Sequence, residues 1–144
     1  MDTPCPICAR GKPLDVLVDL TSTWVTAAVA APLPGYVCVV SKVHVREPYE
    51  LRGDARRAWW EEVSVVAEAV QIATQSPKLN YEIHGNTIPH LHLHVFPRFP
   101  GDPFDQSPID PRRGSIRRSE ADLERLRSAI AARAGQQDEP NGSK

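Results

Sequence analysis

The sequence predicts an α+β domain: a largely antiparallel five-stranded sheet, one long helix packed on it, and a second helix near the C-terminus. Three observations carry that expectation. Short β-branched or alternating apolar runs recur with brief polar or Pro/Gly links between them. One intervening stretch repeats its apolar residues with a helical period. A third stretch, "HLHLHVF", alternates histidine with apolar residues, and a strand separates such a pattern onto two faces.

The elements follow in order. Residues 1–13 form an N-terminal knuckle holding "CPIC", with Cys5 and Cys8. "LDVLVDL" (14–20) alternates as a first strand, and "TWVTAAVA" (23–30) reads as a second. "PLPG" (32–35) signals a turn into "YVCVVSKVH" (36–44), a β-branched central strand. Asp54, after Gly53, is the expected N-cap of the long helix. Trp59, Val63, Val66, Val70 and Ala73 give that helix one apolar stripe, and it should end before Pro77. "LNYEIHG" (79–85) and "HLHLHVF" (90–96) complete the sheet. From Pro97 to Gly114 five prolines make an irregular arm, longer than a simple connection needs, which suggests a binding or dimer role. Ser119 is the expected N-cap of a last helix with Leu123, Leu126 and Ile130 on its apolar side. Residues 1–134 thus make a single domain, and the polar 135–144 segment is expected to be a disordered tail.

Composition narrows the class. With 144 residues, 41% hydrophobic and 24% charged, the chain resembles an ordinary globular domain with a core of its own. A net charge of −1 and no basic stripe argue against nucleic-acid or membrane-surface partners. No apolar run approaches the ~20 residues that span a bilayer, and the N-terminus lacks the apolar segment of a secretory signal. Three cysteines, an odd number, fit reduced thiols and a cytoplasmic location. Cys38, within an apolar run, is expected to be a buried small hydrophobe.

The histidine stretch points to chemistry. On a strand, Leu91, Leu93 and Val95 enter the core while His90, His92 and His94 line the opposite face. Thr, Lys or Glu would serve a merely solvated face. Imidazole instead offers a good ligand or nucleophile near neutral pH. Cys5 and Cys8 have a spacing shared by zinc knuckles and redox pairs. The βαβ pattern expected around a redox pair is absent, and two thiolates need two more ligands to close a tetrahedral zinc site. Histidines are available for that purpose.

With these residues in view, "GNTIPHLHLHVFPR" resembles the signature of the histidine-triad (HIT) superfamily of nucleotidyl hydrolases and transferases. "PLPGYVCVVSKVH" is similar to the block that precedes that signature, and "CPIC" resembles the zinc-bearing bacterial branch. The resemblance implies that His92 is the nucleophile and that His94 donates a hydrogen bond to the substrate phosphate. It implies structural zinc on Cys5, Cys8, His44 and His90. It also implies phosphate-side roles for Asn80, Asn86 and Thr87, Asn80 standing one residue nearer the triad than usual. A homodimer acting on a small-molecule nucleotide is implied in the same way. Three positions depart from the pattern: Tyr36 stands where histidine is common, Ala28 where an acid commonly grips the ribose, and Asn86 where glutamine is usual. The function expected is hydrolysis at the α-phosphate of a dinucleoside polyphosphate, nucleoside phosphoramidate or acyl adenylate through a nucleotidyl-histidine intermediate. The alternatives are a non-enzymatic zinc-containing nucleotide-binding module, a nucleotidyltransferase, or a metalloenzyme using the triad as ligands.

Overall fold

The computed structural model describes residues 4–136. In chain order they form α1 (Pro6–Arg10), β1 (Val16–Asp19), β2 (Thr23–Thr26), β3 (Ala30–Ala31), β4 (Val37–Ser41), α2 (Gly53–Thr74), β5 (Lys78–Ile83), β6 (His92–Arg98), β7 (Ile116–Arg117) and α3 (Glu120–Ala134). Five strands make one antiparallel sheet in the order β1-β2-β4-β6-β5, and β3 pairs with β7 in a separate two-stranded ribbon. The architecture is α+β, with α2 across one sheet face and α3 packed against α2 and β1.

The apolar stripe explains why α2 lies where it does. Trp59, Val63, Val66 and Val70 are all buried against Val25, Val37, Val39, Leu91, Leu93 and Val95 of the sheet side. Burying a side chain of this size is worth about 1.5–3 kcal/mol, so Leu91, Leu93 and Val95 hold β6 and its approach firmly to the core. With that face committed, β6 turns His92 and His94 to the face opposite α2. Among the described residues, no helix is long and apolar enough to cross a membrane.

Several boundaries differ from the sequence expectation. The helix is flanked by an extended Arg52, and Asp54 lies inside its first turn rather than capping it. There its carboxylate pairs with Arg57 at 3.0 Å and sits near the positive end of the helix dipole. The strand expected over 23–30 breaks after Thr26. The cause comes from far along the chain: the buried Arg118 guanidinium donates to the Ala28 and Tyr36 carbonyls, and its N–H to Val29 O, so β3 leaves the main sheet for β7. The central strand stops at Ser41, whose hydroxyl donates to Val43 O at 2.8 Å and turns the chain toward His44. Gly35 is demanded by its φ of +80° and by closeness, since a Cβ there would collide with Thr74 and Pro97.

The proline-rich arm has internal order. Arg98 pairs with the nearly buried Asp102 at 2.8 Å and also donates to the Asp105 and Ser107 carbonyls. Phe104 packs beneath with Leu33 and Phe96. Ser119 caps α3 as expected, accepting from Asp122 N at 3.1 Å. The expected tail over 135–144 lies, from residue 137 on, outside the described residues.

Candidate active site and metal centre

The polar end of this region begins before β6 itself. His90 is not on the strand. Pro89 and a turn closed by His90 N to Ile88 O precede it, and Leu91 N then donates to Val45 O at 2.7 Å. This geometry drives the His90 side chain beneath the sheet, where it is only 2% exposed. Its Nε2 lies 2.6 Å from Ser41 O. A carbonyl can only accept, so Nε2 carries the proton and Nδ1 presents its lone pair. Burial also holds the ring below the usual histidine pKa range, favouring the neutral, ligating form.

That lone pair faces a cluster. Cys5 ends the extended segment before α1, and its sulfur accepts from Cys8 N at 3.4 Å. Ile7, between the cysteines, is buried against Cys38 and Val40 and pins the knuckle to the sheet. Cys38, buried as expected, belongs to this packing and not to the cluster. His90 Nδ1 lies 3.4 Å from Cys5 Sγ, 3.7 Å from Cys8 Sγ and 3.1 Å from His44 Nδ1, and Cys8 Sγ lies 3.2 Å from His44 Nδ1. All four ligand atoms fall within 4.8 Å of one another. The edges of a tetrahedron with ordinary zinc bond lengths are about 3.3 Å between nitrogens and about 3.6 Å between nitrogen and sulfur. Two ring nitrogens and two thiols converging at such spacings, one nitrogen held as a bare lone pair, are a donor set for a metal ion. Cys5, Cys8, His44 and His90 therefore fit a four-ligand, closed site.

The sequence-predicted reactive histidines lie on the other side of His90. His92 Nδ1 is 2.6 Å from the His90 carbonyl, so the neutral ring carries its proton on Nδ1 and its lone pair on Nε2. His94 is set the opposite way. Tyr36 Oη lies 2.6 Å from His94 Nδ1 and has no other hydrogen-bond acceptor among the described residues, so it donates there. His94 Nε2 is then an N–H donor. Burial raises the Tyr36 phenol well above its ordinary pKa, keeping that proton in place. Burial, with lesser effects of His92 and His84, lowers His94 to about 4, so the ring is neutral at pH 7. Phe96 and Tyr36 stack on His94 and fix its plane. The His92 and His94 rings stand 5.0 Å apart and nearly perpendicular.

Both histidines line a cavity of about 470 Å³, with Tyr36, Glu82, Asn86 and Thr87 among its other walls. The volume suits one small molecule. Asn86 and Thr87 come from the loop between β5 and β6, which the sequence had singled out. Asn80 does not line this cavity; its Oδ1 accepts from Arg98 at 2.7 Å on the arm side of β5. Ala28 is absent from the lining, its carbonyl being held by Arg118. Asp102, in the proline-rich arm, is bound by Arg98 and by the N–H groups of Phe99 and Phe104, which lower its pKa to about 2. The acid that does reach the cavity is Glu82, together with His84. Sequence reasoning missed both. Their signal was the β5–β6 register, in which Glu82 pairs directly with His94.

The residues 11–101 match the family model described as HIT domain, and the chain belongs to that family. Among curated proteins none matches the chain. Its fold is similar to that of a histidine triad protein from Bradyrhizobium japonicum, at TM-score 0.74 and 23% identity over 83% of this chain and 89% of that one. It is also similar to a histidine triad protein from Marinobacter aquaeolei, at TM-score 0.72 and 24% identity over 83% and 87% of the two chains. A zinc-bound histidine triad family protein from Mycobacterium smegmatis matches at TM-score 0.65 and 22% identity, over 90% and 94%.

Proposed function

We propose that this protein is a nucleotidyl hydrolase that cleaves the bond between the α-phosphorus of a nucleotide and its leaving group through a covalent intermediate on His92. The observation that carries the reading is the 2.6 Å contact between His92 Nδ1 and the His90 carbonyl, which leaves Nε2 as the free nucleophilic nitrogen in the cavity.

A neutral imidazole is suited to phosphorus because it brings no negative charge toward the phosphoryl oxygens. His92 Nε2 attacks in line, the new N–P bond forming as the bond to the leaving group breaks and that group departs with the electron pair. Positive charge appears on the imidazole, and the His90 carbonyl facing Nδ1–H stabilises it. Water then attacks phosphorus, releasing the nucleoside monophosphate and restoring His92. Splitting one step into two lowers the highest barrier. His94 Nε2–H is a neutral donor for a non-bridging oxygen, and Asn86 and Thr87 offer further polar groups. Asn80, tied to Arg98, acts on the site through β5 in this scheme.

The metal proposed for the knuckle is zinc. Cys5, Cys8, His44 and His90 would hold it, and four protein ligands leave no open position, so its role is structural. A homodimer is proposed on family resemblance.

The decisive experiment is to mix the protein with an adenosine phosphoramidate, quench within one turnover and search His92 for an added nucleotidyl mass. A stable mass on another residue, or turnover that survives His92→Ala, would overturn the mechanism. Binding of nucleotide with no turnover of any conjugate would instead support the non-enzymatic binding module.

A further inference from the structure

We infer that Glu82 makes this cavity selective for nucleotides whose α-phosphoryl group carries a neutral or cationic leaving group, and against those extended by a polyphosphate chain. The inference rests on the nucleotide reading of the cavity given above.

Three observations carry it. First, Glu82 and His94 are direct partners across the antiparallel β5–β6 pair, and both line the cavity. Directly opposed residues project to the same face with Cβ atoms about 4.5–5.5 Å apart. The Glu82 side chain therefore leaves the sheet on the same face as His94, and its carboxylate reaches His84 in the wall of the cavity. Second, no lysine or arginine is among the described residues that line this cavity. Arg98, on the strand paired with β5, has its Nε and both terminal nitrogens engaged by Asp102, Asn80 and the Asp105 and Ser107 carbonyls. Third, a neighbour holds Glu82 in place. Its Oε2 lies 2.9 Å from His84 Nε2, and His84 is a lining residue as well.

The physical consequence is a matter of sign. A single phosphoryl group can be met by the neutral donors around His94, Asn86 and Thr87. Each further phosphate adds negative charge near a carboxylate in a partly desolvated cavity, with no lysine or arginine among the described lining residues to receive it. Like charges so placed repel more strongly than they would in water. An amine or another neutral or cationic leaving group meets the opposite situation, because the carboxylate accepts hydrogen bonds from it. Selectivity here comes from a repulsive element as much as from an attractive one.

The test is a calorimetric comparison of AMP, ADP and ATP, without magnesium, on the metal-loaded wild-type protein, Glu82→Gln and Glu82→Asp. In the wild type, affinity should fall from AMP to ATP. Glu82→Gln should raise ATP affinity by roughly tenfold or more while changing AMP by less than about threefold. Glu82→Asp keeps the charge and should keep the wild-type order. The gap between Glu82→Gln and wild type on ATP should narrow at high salt. Equal changes for AMP and ATP in Glu82→Gln, or a wild type that binds ATP at least as tightly as AMP, would overturn the inference alone. Failure of every nucleotide to bind would overturn the nucleotide reading of the cavity, and this inference with it.

Discussion

The two sides of His90 use one residue type in opposite ways. Toward the knuckle, a ring is buried and its Nε2–H is spent on Ser41 O, so Nδ1 is bare and faces thiols. Toward the cavity, His92 spends Nδ1–H on a carbonyl and keeps Nε2 bare, whereas His94 receives a phenol proton on Nδ1 and keeps Nε2–H to donate. The proposed ligand, nucleophile and donor thus differ by which nitrogen is occupied and by what occupies it. The lesson is that imidazole chemistry here is assigned by hydrogen-bond partners, two of them backbone carbonyls, and not by residue identity.

The sharpest way to break the comparison is to disable each side separately. His92→Ala should reduce turnover by at least about a thousandfold, ~4 kcal/mol in the barrier, with metal content and folding kept. Steady-state rates and elemental analysis on the same sample check both halves, and a loss of metal in His92→Ala would show that the two sides are not separable. The converse variant, Cys5→Ser, should lower the metal from about one equivalent of zinc and reduce the melting temperature markedly, because metal binding by a closed site contributes directly to folding. A stoichiometric metal that persists when Cys5 and Cys8 are both serine would remove the knuckle from the site.

A finer cut tests how His94 is set. Tyr36→Phe keeps the stacked rings but removes the proton given to Nδ1. Loss of one hydrogen bond of this kind is worth ~1–1.5 kcal/mol, so kcat should fall about tenfold with the fold intact. An unchanged kcat would mean that His94 needs no orienting partner.

The smallest expected effect concerns acid. Burial holds His94 at about 4 in the folded protein, against 6.5 for the free group. Between those values the unfolded chain takes up a proton that the folded one refuses. The stability associated with the neutral ring is therefore present above pH 6.5 and is lost as the pH falls toward 4. His94→Gln removes this dependence. Urea titrations at about pH 7 and about pH 5 should show a smaller acid loss for the variant than for the wild type, and identical losses would contradict the buried, neutral assignment.

What was legible in the sequence was what is local. The alternation from His92 on, the stripe from Trp59 to Val70 and the C-x-x-C spacing are each local to one stretch of chain, and each appears in the structure. What was not legible depends on chain segments distant in sequence. The early end of β2 follows from Arg118, which is 90 residues from the Ala28 carbonyl it holds. The place of His90 off the strand follows from Leu91 docking on Val45 O. Glu82 enters the cavity because of a strand register, and Asp102 is excluded because Arg98 claims it. Cys5, Cys8, His92 and His94 could be picked out from spacing and the ligand roles of His44 and His90 from the family resemblance, but Glu82 and His84 could not be placed in the cavity.

One consequence of the His90 carbonyl reaches beyond this protein's chemistry. The group that fixes the proton on His92 is main chain, and every amino acid carries it. A codon change at position 90 could erase the imidazole from the metal cluster, yet the oxygen beside His92 would remain in the genetic sense, whatever side chain replaced it. A lineage could therefore lose the candidate metal cluster while the His92 ring kept the carbonyl that sets its tautomer. Two features joined at one residue are in this way free to evolve at different rates.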